Sequence, residues 1–168
     1  MLNRALLVTL LVSVPTLGLA QGGATGPSVD GVWKVAEIVT TGADAATNAS
    51  PQPSLIIFAR GHYSYLSVDG TAPRPTFADP KDPDKLTDAE KIARYEQWRS
   101  FTAQAGTYQI KGTTMTRRPL VAKNLAVMTT NPPIVQEFKL EGNTFWLIRK
   151  SAAGQPASET RTKLTRVQ

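Results

Sequence analysis

Ser54-Leu55-Ile56-Ile57-Phe58-Ala59-Arg60-Gly61-His62-Tyr63-Ser64-Tyr65-Leu66-Ser67-Val68 is the stretch on which the fold turns. A β-rich apolar run meets the turn Ala59-Arg60-Gly61, and a second run returns with Tyr63, Tyr65 and Ser67 on one side. β-branched and aromatic residues on both sides of a glycine turn predict an antiparallel hairpin. Working outward, the pattern repeats. Residues 107–110 and 113–118 flank Lys111-Gly112, and residues 134–140 and 144–149 flank Glu141-Gly142-Asn143.

Two further strands complete the set. Residues 31–40 alternate, with Trp33, Val35, Glu37 and Val39 on one face and Lys34, Ala36 and Ile38 on the other. Residues 159–167 alternate as the last strand, while the small, polar and proline-bearing residues 41–53 read as a loop. Between hairpins lies a different signal. After the proline-rich residues 69–84, Thr87-Asp88-Ala89-Glu90 has the form of a capping box. Ala89, Ile92, Tyr95, Trp98 and Phe101 follow at spacings of three, which predicts an amphipathic helix ending near Thr102. Residues 121–133 read as irregular. The expectation is an all-β domain of eight antiparallel strands with one inserted α-helix. Eight such strands close into an up-and-down barrel, which removes exposed edges and leaves room for one small ligand.

Composition narrows the chemistry. The 168 residues include no cysteine and one histidine. This excludes a disulfide-stapled framework, a thiolate metal site and a cysteine nucleophile. One imidazole does not make a zinc site, and Asp79, Asp82, Asp84 and Asp88 lack calcium-loop spacing, so neither metal nor cofactor is expected. The formal charge is +6, but the cations are dispersed without a basic-aromatic motif, so a solvated surface is expected rather than a nucleic-acid partner. No nucleophile-elbow, zincin, P-loop or dinucleotide fingerprint occurs.

The N-terminus reads as an address. Met1 to Arg4 carry a positive charge, an aliphatic run follows to Val14, and Gly18-Leu19-Ala20 supplies small residues for cleavage. This order predicts a signal peptide over 1–20. A mobile leader over 21–28 and a barrel domain over 29–168 would follow, giving an exported, periplasmic or secreted monomer with no membrane span after cleavage.

Several segments carry a family resemblance. Gly31-Val32-Trp33 has the G-x-W form. With it stand Ser54-Leu55-Ile56-Ile57-Phe58, Gly61-His62-Tyr63-Ser64, Ala105-Gly106-Thr107-Tyr108, Arg118-Pro119, Ala122-Lys123-Asn124 and Leu140-Glu141-Gly142-Asn143-Thr144. Together they resemble the bacterial lipocalin-like domain family from about Asp30 to Val167. The resemblance implies an up-and-down barrel with a helix between its third and fourth strands. It also implies an arginine, here Arg166, stacked over the signature Trp33 to close the barrel. It implies no general activity, because the fold does not fix function. The chain departs from classical lipocalins in lacking cysteines and a helix after the last strand.

The expected function is therefore binding of a small, partly hydrophobic molecule inside the barrel. By alternation Glu37 shares a face with Trp33, and a buried carboxylate needs a partner, with Arg118 or Lys123 in reach. Arg118, Lys123 and Asn124 would form a polar rim. Tyr63, Tyr65, Tyr108, Trp98 and Met128 would line the apolar wall, and His62 would lie near a barrel end. One alternative is an isomerase or cyclase in which Glu37 or His62 moves a proton. Another is a barrel filled by its own side chains that acts as a structural or interaction domain.

Overall fold

The computed structural model describes residues 28–129 and 133–167. The expected signal peptide over 1–20 and leader residues 21–27 lie outside the described residues. Strands β1 (Gly31–Gly42), β3 (Ser54–Ala59), β4 (His62–Val68), β5 (Phe101–Lys111), β6 (Thr114–Ala122), β7 (Ile134–Glu141), β8 (Thr144–Lys150) and β9 (Ser158–Arg166) pair in order, each antiparallel to the next. β1 also pairs with β9, which closes an eight-stranded barrel. Arg60-Gly61, Gly112 and Gly142 sit in the tight turns with positive φ, as the three predicted hairpins require.

The inserted helix α1 (Asp88–Arg99) lies between the third and fourth barrel strands, as expected. Its N-terminus carries the predicted capping box: Thr87 Oγ1 accepts from the Glu90 amide, and Glu90 Oε2 accepts from the Thr87 amide. The helix stops before Thr102 because the Ser100 carbonyl accepts from the Asp69 amide and Phe101 pairs with Val68. Strand β5 therefore starts six residues earlier than the expected 107. Its first half, Thr102-Ala103-Gln104-Ala105-Gly106, has weak strand propensity but is held on both sides by β4 and β6. Two short elements sit in segments read as irregular: β2 (Ala46–Asn48), which pairs with the end of β1, and α2 (Leu125–Thr129), which follows β6. No helix among the described residues is long and apolar enough to cross a membrane.

Two bulges set which residues face inward. The β1–β9 register shifts between Val35 and Glu37, leaving Ala36 unmatched. Val35 stands opposite the buried Leu164, so it faces in, whereas Glu37 stands opposite Lys163 and faces out. Beyond the bulge Ile38 and Thr40 are the inward residues. The expected inward carboxylate is thus corrected: strict alternation fails because the bulge inserts one residue and reverses the phase. The second bulge lies where β6 passes Ala105 and Gly106. There a Cβ on Gly106 would stand 2.0 Å from the Arg118 carbonyl oxygen, so only glycine admits the approach.

The core occupies one half of the barrel, the end carrying the hairpin turns. Trp33, Ile56, Phe58, Met115, Phe145 and Leu164 are fully buried there. Phe145 packs on Trp33, Phe58 and Phe138 at centroid distances of 5.3–5.7 Å. Val29 is buried beneath them, and its carbonyl accepts from Trp33 Nε1 at 2.9 Å. The Arg166 guanidinium lies 4.2 Å from the Trp33 ring centre and donates to the Asp30 carbonyl, closing that end as the resemblance implied.

Candidate functional site

The inward face changes character at mid-height. Below lie the aromatic and aliphatic residues just named. Above them, register places the polar Thr40, Ser54, Ser67, Thr102, Gln104, Thr160 and Thr162 on the inner wall together with Ile38 and Ile134, and Gln136 stands opposite Met115 at the boundary. All but Ser67 are only half-buried. The lower half is sealed and the upper half is an open polar cup.

Arg117 sits at the boundary. Met115 and Arg117 are the buried positions of β6, two residues apart and on the same face. The Arg117 side chain is 5% exposed. Its guanidinium carbon lies 5.3 Å from the Tyr63 ring centre and 5.5 Å from that of Tyr65, and Nη2 donates to Gln136 Oε1 at 2.5 Å. Nε and Nη1 are buried without a hydrogen-bond partner. No barrel strand places an Asp or Glu on the inward face among the described residues: Glu37, Glu137, Glu141 and Glu159 all fall on the outer one. Burial pushes the guanidinium pKa down, opposed by the neighbouring tyrosines, yet an arginine retains its charge. Burial also raises the Tyr63 hydroxyl pKa, with Arg117 acting against it. Among the described residues, Arg117 is thus a buried cation flanked by aromatic faces with no acidic side chain paired to it.

Above it lies a cavity of about 630 Å³ at the mouth, lined by Tyr95, Trp98 and Arg99 of α1, by Phe101 to Gln104 of β5, and by Asp69, Ala122, Lys123, Asn124 and Val127. Gln104 links this cavity to the interior, because its Oε1 accepts from the Tyr63 hydroxyl at 3.2 Å and Tyr63 lies against Arg117. Lys123 braces the mouth. Its Nζ donates to the Trp98 carbonyl and, at 2.8 Å, to the Phe101 carbonyl, and it lies 5.2 Å from the Trp98 ring centre. The Asn124 side chain accepts from the Ala126 amide and so caps α2.

The sequence-predicted residues divide accordingly. Trp98, Lys123 and Asn124 meet at the mouth, and Tyr63 and Tyr65 meet at Arg117. Val127, not Met128, lines the cavity. Tyr108 belongs to the closed end, where its hydroxyl donates to Asp30 Oδ1 at 2.5 Å and its ring packs on Phe58. Burial and the Asp30 bond push its pKa up to about 12. His62 is exposed beside the β3–β4 turn, with Nδ1 3.2 Å from the Arg60 carbonyl. By register it faces outward at the closed end. Arg118 is exposed on the outer face opposite Thr107, on a strand that does not neighbour β1, so the expected pair with Glu37 does not form. Sequence reasoning missed Arg117, Gln104 and Gln136. A phase was available in residues 114–118, because Met115 inward requires Arg117 inward and Arg118 outward.

No family model matches the chain, and no curated protein matches it. A crystal structure of an uncharacterized protein from Bacteroides eggerthii DSM 20697 is similar at a TM-score of 0.43 and 10% identity, covering 82% of this chain and 98% of that one. A likeness of that degree carries no argument about function.

Proposed function

We propose that this barrel binds a small, partly apolar molecule that enters between α1 and α2 and seats its polar end in the upper cup. The observation that supports this reading most is the division of the interior: the lower half is tightly packed, while the upper half is half-buried and largely polar and shares Thr102, Gln104 and Ala122 with a cavity of about 630 Å³ at its mouth. A concave site with an apolar wall and a few convergent polar groups is the usual form of a small-molecule pocket. Trp98, Tyr95 and Phe101 supply that wall, and Gln104 and Lys123 supply polar contacts. His62 and Glu37, the candidates for proton transfer named from the sequence, both face outward, which favours the binding reading over the one that uses them as acid or base. The same reading takes the chain to be an exported, monomeric member of the lipocalin-like family.

N-phenyl-1-naphthylamine, an uncharged fluorophore that brightens in apolar pockets, tests the proposal. The purified protein should enhance its emission saturably. Ala122→Trp, which puts an indole at the rim on the inward face, should abolish the enhancement while leaving the far-ultraviolet spectrum unchanged. Absence of saturable enhancement, or equal enhancement by the Trp variant, would count against the pocket.

A further inference from the structure

We infer that Arg117 is an anion-binding subsite and that the molecule this barrel takes is an organic carboxylate. The inference rests on the binding reading above and deepens it. A guanidinium that is 5% exposed, with Nε and Nη1 unpartnered, has been removed from water without replacement of its hydrogen bonds. Buried charges persist where they are paired or hydrogen-bonded. The protein supplies one neutral acceptor, Gln136 Oε1, and two aromatic faces, Tyr63 and Tyr65. None of these neutralises the charge, and the inward face carries no Asp or Glu on any barrel strand among the described residues. A small anion would supply the missing partner, and it would have to reach Arg117 from the half-buried polar side of the barrel, past Gln104, whose Oε1 accepts from the Tyr63 hydroxyl.

The geometry favours a carboxylate over a phosphate. A guanidinium presents planar paired donors that match the two oxygens of a carboxylate. One buried positive charge balances one negative charge, whereas a phosphate dianion would leave a net charge in a low-dielectric interior. Of the other arginines that are inward by register, Arg149 is exposed at the open rim and Arg166 is committed to Trp33 and the Asp30 carbonyl at the closed end, so neither supplies that balance at the depth of Arg117. The mouth does not compete for the charge. Lys123 there donates to the Trp98 and Phe101 carbonyls, Arg99 is paired with Glu96 at 2.7 Å and the Asp69 carboxylate accepts from the Thr102 hydroxyl, so the mouth is near neutral and the choice of head group falls to Arg117. The aromatic surfaces of Trp98, Tyr95 and Phe101 would hold the apolar body while its head group reaches past Gln104.

Displacement of N-phenyl-1-naphthylamine by decanoate, decan-1-ol and decyl phosphate tests this, because the three share one tail. In the wild-type protein decanoate should displace the probe about tenfold to a hundredfold more effectively than decan-1-ol, the range for hydrogen bonds to a charged group. Decyl phosphate should fall below decanoate. Arg117→Met should bring decanoate and decan-1-ol within about threefold of one another while the probe itself still binds. A second measurement needs no variant: the carboxyl resonance of [1-13C]decanoate bound to wild-type protein should titrate at lower pH than that of free decanoate. Equal displacement by acid and alcohol in the wild type, retention of the preference in Arg117→Met, or an unshifted carboxyl titration overturns the carboxylate site and leaves the pocket standing. A preference for decyl phosphate overturns the choice of carboxylate. Failure of the probe to bind at all overturns the pocket itself.

Discussion

Gly31 and Arg166 should be thermodynamically coupled. Gly31 has φ +142°, and a Cβ placed there would stand 2.1 Å from Arg166 Nη1 and 3.2 Å from Cζ. That guanidinium lies 4.2 Å over Trp33 and donates to the Asp30 carbonyl at 2.8 Å. The stacking contributes about 1 kcal/mol and the charge-assisted bond about 2, so Arg166→Ala should cost about 3 kcal/mol. Gly31→Ala adds backbone strain of about 2 kcal/mol and also drives the guanidinium off the indole. The double variant has already lost the guanidinium, so it should be about as stable as Gly31→Ala alone. The coupling is then about 3 kcal/mol, well above the roughly 0.5 kcal/mol scatter of independent sites. Urea unfolding followed by tryptophan fluorescence gives all four free energies. Costs that add to within about 0.5 kcal/mol would refute the account. Arg166→Lys, which keeps the charge but not the planar fork, should recover less than half of the loss.

Three other expectations follow from particular groups. Tyr108 is raised in the folded state to about 12, first by burial and then by Asp30. Its contribution is fully present below the unfolded value near 10 and is lost as pH rises toward 12. Stability should therefore fall across that window more steeply in the wild type than in Tyr108→Phe; parallel profiles in urea would contradict it. Thr87→Ala removes the acceptor for the Glu90 amide and should cost about 1 kcal/mol locally. Amides in the first turn of α1 should exchange faster with the barrel strands unaffected, and unchanged exchange would mean that tertiary contacts hold the helix start. Arg117→Met replaces a buried guanidinium with two unpartnered nitrogens by an apolar chain that fits beside Tyr63 and Tyr65. The ligand-free protein should gain about 1–2 kcal/mol, and a loss would show that the ring contacts and Gln136 outweigh the desolvation.

Much of the barrel was legible because its signals are local. The three glycine turns and the Thr87–Glu90 box each specify their geometry through neighbours within a few residues, and the runs beside them carry period-two patterns. The weak half of β5 was hidden because Ala103, Ala105 and Gly106 have no strand preference of their own, and pairing with β4 and β6 on both sides supplies what propensity does not. α2 is five residues long, below the length at which periodicity can be read. The site was legible only in part. Trp98, Lys123, Asn124, Tyr63 and Tyr65 can be named from their places on strands, at strand ends and on the helix stripe, whereas the cation expected at the site, Arg118, is one residue out of phase with the inward Arg117.

By itself, then, the amino-acid order determined an eight-strand antiparallel domain and its helix insertion, while the aromatic-arginine closure of one end was implied by the resemblance of its segments. Which carboxylates and cations enter the interior was decided only in three dimensions. A strand's two faces are distinguished by what lies across from them. One unmatched residue, Ala36, is enough to turn Glu37 outward, and the pairing of β6 turns Arg117 inward.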